Sequence, residues 1–268
     1  MLENVIEKLT NHGITEVILS MGFQPSAFID AYPDAICEGL PLKYVIEPTP
    51  LDTAGAIRFA AFQSGVDETF LVCNGDVITE TDVGELVDYH KNIGAEATIS
   101  LTPTDNPSQY GIVPTDDDGQ VTGFIEKPSG PNFETNLINA GYYIMEPSTL
   151  NRIPSDGPVS IETEIFPKMA IDKKLYAVSS EKYWIDAGTP ETFLKANLDL
   201  LNGVRDKKIN GIHDQASVST NAVVDSSMIG RGVKIADGAH VENSVLLDGV
   251  EVEKNARIEG SIVGERAK

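Results

Sequence analysis

Phe70-Leu71-Val72-Cys73-Asn74-Gly75-Asp76 is an apolar run that stops at a glycine and an acid. A short apolar run bounded by turn residues reads as a buried strand. Asp76 then stands at the carboxyl edge of an α/β sheet, where such folds bind ligands and metals. Taken alone, the acid is equally a turn former after a strand. Two later stretches can meet it at that edge: Glu126-Lys127-Pro128 and Trp184-Ile185-Asp186-Ala187-Gly188-Thr189. Two carboxylates and a lysine in one crevice suit phosphoryl transfer assisted by a divalent metal.

Outward from this strand, helices and strands alternate. Leu2, Val5, Ile6 and Leu9 keep helical spacing and Gly13 stops that helix. Strands are expected over 15–20, 42–46 and 97–101, with helices over 53–62 and 82–92. This βαβ rhythm predicts a mostly parallel, Rossmann-like sheet. From Tyr110 the pieces shorten: extended segments over 110–113, 120–125 and 137–145, with Asp116-Asp117-Asp118-Gly119 as a hairpin turn. Residues 161–170 and 190–201 read as helices, Pro190 suiting a first turn.

After Asn210 the pattern changes. Aliphatic residues recur at Val218, Val224, Ile229, Ile235, Val241, Leu247, Val252, Ile258 and Val263, in steps of five or six. Neither a helix nor a flat strand has that period; a triangular β-solenoid does. The expected domains are therefore 1–205, α/β, and 212–268, solenoid. Stacked flat faces predict a homo-oligomer formed through the solenoid.

The 268 residues carry 41 acids against 20 bases, a formal charge of −21. That field repels a phosphate backbone, so nucleic acid is excluded as a partner. A salt-adapted host is one explanation of the acidity, an ordinary acidic enzyme the other. Cys37 and Cys73 make no disulfide framework or zinc spacing. No apolar run approaches a membrane span, and residues 1–9 carry acids where a signal peptide would not. The expectation is a cytoplasmic protein with no membrane partner.

Read together, the segments resemble the sugar-phosphate nucleotidyltransferase family. The resemblance rests on Glu47-Pro48 followed by Leu51-Asp52-Thr53-Ala54-Gly55-Ala56, on Asn74-Gly75-Asp76-Val77, and on Tyr110-Gly111. It continues through Glu126-Lys127-Pro128, Asn139-Ala140-Gly141-Tyr142-Tyr143, residues 160–167 and residues 184–189. It covers nearly the whole chain and is greatest to the mannose-1-phosphate guanylyltransferase branch. The fold it implies is a Rossmann-like nucleotidyltransferase sheet, incomplete at its N-terminus, followed by a left-handed hexapeptide-repeat β-helix.

The resemblance implies a nucleoside triphosphate (GTP) and a sugar 1-phosphate as substrates. Asp76 and Asp186 are then the Mg²⁺ ligands, hard oxygen donors suited to that ion. Lys127 neutralises the sugar phosphate, and Glu126 accepts hydrogen bonds from sugar hydroxyls. With Gly75 beside Asp76, Tyr110, Gly111, Asn139 and Gly141 shape the sugar pocket. Glu47 and the turn of Thr53, Ala54 and Gly55 face the base. Read without the family, Trp184 is a core aromatic, Asp186 a turn acid and Glu126-Lys127 an exposed charge pair.

Two departures stand out. Family members open with a strand and a glycine-rich loop that cradles the triphosphate, and no such segment precedes Leu2. The expectation is an open sheet edge and impaired nucleotidyl transfer, as for a fragment or truncated gene model. Asp52 stands where the base-binding turn usually has glycine, at a position where aspartate tolerates left-handed backbone. Three alternatives are carried forward. One is a non-catalytic, nucleotide-sugar-binding regulatory subunit. Another is a thymidylyl- or uridylyltransferase acting on glucose 1-phosphate. The third is a solenoid acyltransferase using His240, expected instead on an outward turn.

Overall fold

The computed structural model describes all residues except 11, 128–132 and 206–207. Pro128 of the Glu126-Lys127-Pro128 motif lies outside the described residues. The chain forms two compact units: Met1–Val77 with Thr81–Lys182, and Ile78–Glu80 with Tyr183–Lys268.

In the first unit the organising element is the strand Leu137–Met145. It runs antiparallel to Ala97–Pro103 on one side. On its other side Gly111–Ile112 pairs near its start, at Ile138, and Phe70–Cys73 pairs near its end, from Tyr142 to Met145. Neither short strand reaches Asn139, Ala140 or Gly141, so the sheet opens there. Leu175–Ser179 and Ile125–Glu126 complete six strands. The expected mostly parallel sheet is thus corrected to a mixed one. The helix Val83–Ile93 connects Phe70–Cys73 to Ala97–Pro103 as in a parallel pair, but Leu137–Met145 lies between them, antiparallel to both.

The core beneath this sheet is aliphatic and aromatic. Ile99, Leu101, Tyr143, Met145, Ile161, Ile165, Phe166 and Met169 are all at most 1% exposed. Tyr143 meets Phe166 edge-on, with centroids 5.1 Å apart. A separate three-stranded sheet places Leu40–Ile46 between Val17–Met21, parallel, and Ile36–Cys37, antiparallel. Among the described residues, Val17–Met21 and Phe70–Cys73 each pair on one side only. The helix Asp52–Ser64 packs on Val17–Met21 and Leu40–Ile46. Its Ala54 and Ala61 also join the core that holds Phe70 and Val72. The 116–119 hairpin forms as expected: Asp116 Oδ1 accepts from the Asp118 and Gln120 amides, and Gly119 has φ +79°.

In the second unit, Trp184–Asp186 pairs with the strand that contributes Ile78 and Thr79. Thr189 caps the helix Pro190–Leu201, accepting from Thr192 N at 3.2 Å. Three stacked parallel sheets follow. Ser217–Val218, Lys234–Ile235 and Glu251–Val252 form one; Val223–Asp225, His240–Glu242 and Arg257–Glu259 a second; Met228–Ile229, Val245–Leu246 and Ile262–Val263 a third. The coil advances 17 residues, which is why the aliphatic steps comprise two of six and one of five in each turn. That register corrects one expected position: Leu246, 1% exposed and opposite Ile229 and Val263, fills the interior, whereas Leu247 is half-buried. The shortened corner is held by serines. Ser244 N donates to Ser227 Oγ and Ser261 N to Ser244 Oγ, both at 3.1 Å. His240 is exposed. No helix among the described residues is long and apolar enough to cross a membrane.

Candidate active site

The opening at Asn139–Gly141 lies beside the Asn74-Gly75-Asp76 turn singled out in the sequence. Gly141 has φ +77°, and a Cβ there would stand 2.8 Å from Asn74 Nδ2. Only glycine allows this close approach. In return, Asn74 N donates to Gly141 O at 2.9 Å, which anchors the start of the Asn74-Gly75-Asp76 turn. Asn139 Oδ1 accepts from Gly141 N at 3.0 Å, and its Nδ2 donates to the buried Tyr143 hydroxyl at 2.8 Å. Gly75 and Asp76 are exposed beyond this anchor.

Gly111 pairs with Glu126 across a two-residue ladder, and a Cβ on Gly111 would meet Glu126 Oε2 and the Phe124 ring at 2.7 Å. The glycine therefore makes room for the carboxylate. Burial raises the proton affinity of Glu126, and the nearby charge of Glu162 adds to it, against Lys127. Lys127 N donates to Tyr110 O at 3.1 Å, and Lys127 itself has φ +44°, a conformation that bulky side chains avoid. Its side chain is 70% exposed, and its ammonium stands 3.8 Å from Glu126 Oε1. A loose, solvent-facing cation beside a half-buried acid is a poor stabilising pair but suits an anionic ligand.

Glu162, which lies within residues 160–167 of the family pattern, is tied to the proposed base-facing turn. Its Oε2 accepts from Thr53 Oγ1 at 2.8 Å and from Ser160 Oγ at 3.0 Å. Ile161 N donates to Thr53 Oγ1 at 2.8 Å. The only signal available was its place in residues 160–167. Beside it, Asp52 has φ +59°, the left-handed value anticipated for that turn, and its Oδ1 accepts from Thr53 N at 2.7 Å. Ala54 and Gly55 are buried, and both amides donate to Val159 O, at 2.9 and 3.1 Å. Glu47 closes the preceding loop, accepting from Ser20 Oγ at 3.2 Å and Leu51 N at 3.1 Å. Thr53, Ala54, Gly55 and Glu47 therefore hold one another and the 157–162 segment in place.

Asp186 belongs to the second unit. It is half-buried, and its Oδ1 accepts from Gly188 N at 2.9 Å. Among the described residues no group of three His, Cys, Asp or Glu is placed to hold a metal ion. A single exposed or half-buried carboxylate, such as Asp76 or Asp186, is a hard oxygen donor of the kind magnesium takes, since that ion keeps several waters and needs only one or two carboxylates.

Comparison with known proteins is consistent along the chain. Residues 1–203 match the family model described as nucleotidyl transferase, and residues 208–268 match the GMPPB C-terminal domain. The mannose-1-phosphate guanylyltransferase of Mycobacterium tuberculosis is 36% identical over 90% of this chain and 69% of its own length. The Saccharomyces cerevisiae mannose-1-phosphate guanyltransferase is 34% identical over 84% of this chain and 63% of its own length. The chain thus spans about two thirds of the length of the curated relatives it matches. Among solved structures, HddC from Yersinia pseudotuberculosis complexed with GMP-PN is 28% identical. It superposes with a TM-score of 0.61 over 73% of this chain and 83% of that one.

Proposed function

Since this chain belongs to the nucleotidyl transferase family, we propose that it transfers a guanylyl group from GTP to mannose 1-phosphate, giving GDP-mannose and pyrophosphate. A phosphate oxygen of the sugar attacks the α-phosphorus of GTP; the new P–O bond forms as the bond to the β-phosphate oxygen breaks, and pyrophosphate leaves with that electron pair. No covalent enzyme intermediate is needed, so positioning and charge neutralisation carry the step.

The observation that carries this reading is the half-buried Glu126 carboxylate, for which Gly111 leaves room, with the Lys127 ammonium 3.8 Å away and Glu162 nearby. Two acids close enough for one to raise the proton affinity of the other make a wall of acceptors suited to vicinal hydroxyls. Gly111 keeps the Glu126 side of that wall free of a side chain. Lys127, on its strained turn, supplies a positive point charge for the sugar phosphate. The turn of Asp52 to Gly55, braced by Glu47 and Val159, presents the base-binding edge, and the Asp52 carboxylate favours a base offering N–H donors, as guanine does. Asp76 and Asp186 would each offer a carboxylate oxygen to Mg²⁺, whose chemistry when bound is to offset the charge that gathers on the phosphates.

The measurement that tests this is a panel of nucleoside triphosphates against mannose, glucose and N-acetylglucosamine 1-phosphates, read by pyrophosphate release and by calorimetric binding. GTP with mannose 1-phosphate is expected to lead. Binding of GDP-mannose with no release from any pair would replace catalysis with the nucleotide-sugar-binding reading. Preference for dTTP or UTP with glucose 1-phosphate would overturn the specificity. The cytoplasm and a homo-oligomer are the proposed setting, the latter checked by light scattering.

A further inference from the structure

Ile78–Glu80 follows Asp76 at a distance of two residues and lies in the second unit, with the strand that carries Asp186. There Glu80 N and Thr79 Oγ1 both donate to Tyr183 O, at 2.8 and 3.2 Å. The Glu80 carboxylate accepts from Arg205 Nε at 3.1 Å, and the two side chains are only 2% and 5% exposed. The Arg205 guanidinium also lies 5.7 Å from the centre of the Tyr183 ring. Finally, the Tyr183 hydroxyl donates at 2.9 Å to Asp199, on the helix Pro190–Leu201, and Lys195 donates to the same oxygen.

A buried ion pair is weak evidence of net stabilisation, because the cost of removing both charges from water offsets their attraction. What distinguishes this one is its target. Backbone amide, hydroxyl, cation and helix all fix Tyr183, three residues before Asp186. The remaining approach to Asp186 is fixed from the other side by the Gly188 amide. A metal-binding carboxylate is useful only when held within a fraction of an ångström of its productive position, and that takes support from groups that never touch the metal.

We propose that the buried Glu80–Arg205 pair, acting through Tyr183, is the positioning device that holds Asp186 ready for the divalent metal. The proposal rests on the reading of Asp186 as a metal ligand given above, and its test separates the two. Trp184 is the single tryptophan of the chain and is two residues from Asp186. Paramagnetic Mn²⁺ bound at Asp186 quenches its fluorescence, so metal affinity is read without substrate or turnover.

The wild-type protein is expected to show saturable quenching by Mn²⁺ that Asp186→Asn abolishes. Glu80→Gln and Arg205→Lys are each expected to raise the Mn²⁺ midpoint at least fivefold while the near-ultraviolet circular dichroism is retained. Arg152→Met is the control. It breaks a different ion-pair cluster, in which Arg152 binds Glu96 at 2.7 Å and Asp172 at 2.6 Å. It should lower the melting temperature without moving the midpoint. A wild-type midpoint in both Glu80→Gln and Arg205→Lys overturns the positioning role and leaves the metal reading intact. If Glu80→Gln fails to fold, Arg205→Lys decides alone, since it keeps the charge and changes only the geometry. Quenching that survives Asp186→Asn removes the metal reading and this proposal with it.

Discussion

Thr53 and Glu162, separated by 109 positions in sequence, share a 2.8 Å hydrogen bond from the Thr53 hydroxyl to the Glu162 carboxylate. The same hydroxyl accepts from Ile161 N. Thr53 lies on the turn proposed to face the base, Glu162 in the wall proposed to face the sugar. The two subsites are therefore braced by one hydroxyl. Thr53→Val keeps the shape and removes both bonds, a loss of about 1–1.5 kcal/mol, or roughly tenfold in affinity. Mannose 1-phosphate and GTP are both expected to weaken by that factor in calorimetric titrations, and Thr53→Ser to bind as the wild type. Unchanged affinity for both ligands in Thr53→Val would show that the brace is only structural.

Gly141 and Gly75 look alike in sequence and differ in what they tolerate. Gly141 has positive φ, and an added Cβ would press on Asn74, whose amide anchors the turn leading to Asp76. Around Gly75 a Cβ meets nothing within 4 Å, and its φ is not in the left-handed region. Gly141→Ala should cost roughly 1–3 kcal/mol of stability through backbone strain and lose sugar-phosphate binding. Gly75→Ala should stay within about 0.5 kcal/mol of wild type. Urea midpoints of the two variants measure the contrast. Equal midpoints would mean that Asn74 yields without consequence.

The solenoid was legible because its period is local: each aliphatic residue reports a corner of the same coil, and only Leu247 was displaced, by one residue, to Leu246. The strand Phe70–Cys73 leading into Asn74, and the helix starting at Pro190, were legible for the same reason, through apolar runs and caps. The mixed sheet was not. Nothing within Leu137–Met145 says that it inserts between Phe70–Cys73 and Ala97–Pro103, because strand order is decided by tertiary packing. The site divides in the same way. Asp52 could be read as tolerating left-handed backbone, since that is a property of one residue. The Thr53–Glu162 bond and the Glu80–Arg205 pair join residues more than a hundred positions apart, and no spacing announces them.

Glu126 gives the site a pH signature. Burial first, then the charge of Glu162, raises its folded-state pKa above the ordinary carboxylate value. A carboxyl raised in this way contributes stability below the unfolded pKa, near 4.5, and loses it as pH rises through the higher folded value. At neutral pH the ionised group therefore destabilises the fold. Glu126→Gln should raise the melting temperature at pH 7, a gain that shrinks to nothing as the pH falls below the unfolded carboxylate value. The same variant should bind mannose 1-phosphate roughly tenfold or more weakly, since a charged acceptor is lost. A melting temperature that falls at pH 7 would show that the carboxylate serves the fold and not the ligand.

Ser244 carries the tight corner of the solenoid. Its side chain donates to Glu242 O at 2.7 Å and accepts from Ser261 N, while its own amide donates to Ser227 Oγ. Ser244 is fully buried, so Ser244→Ala leaves the Ser261 amide without that acceptor where water does not replace it. The expected cost is about 1–3 kcal/mol. Ser261 is half-exposed, and its hydroxyl makes only one such bond, to Glu259 O. Ser261→Ala should therefore cost less than about 0.5 kcal/mol. Because each coil is supported mainly by its neighbours, the loss should appear as a separate, earlier unfolding step in thermal melts. Two equal losses from Ser244→Ala and Ser261→Ala would show that the 17-residue coil is set by its aliphatic interior alone.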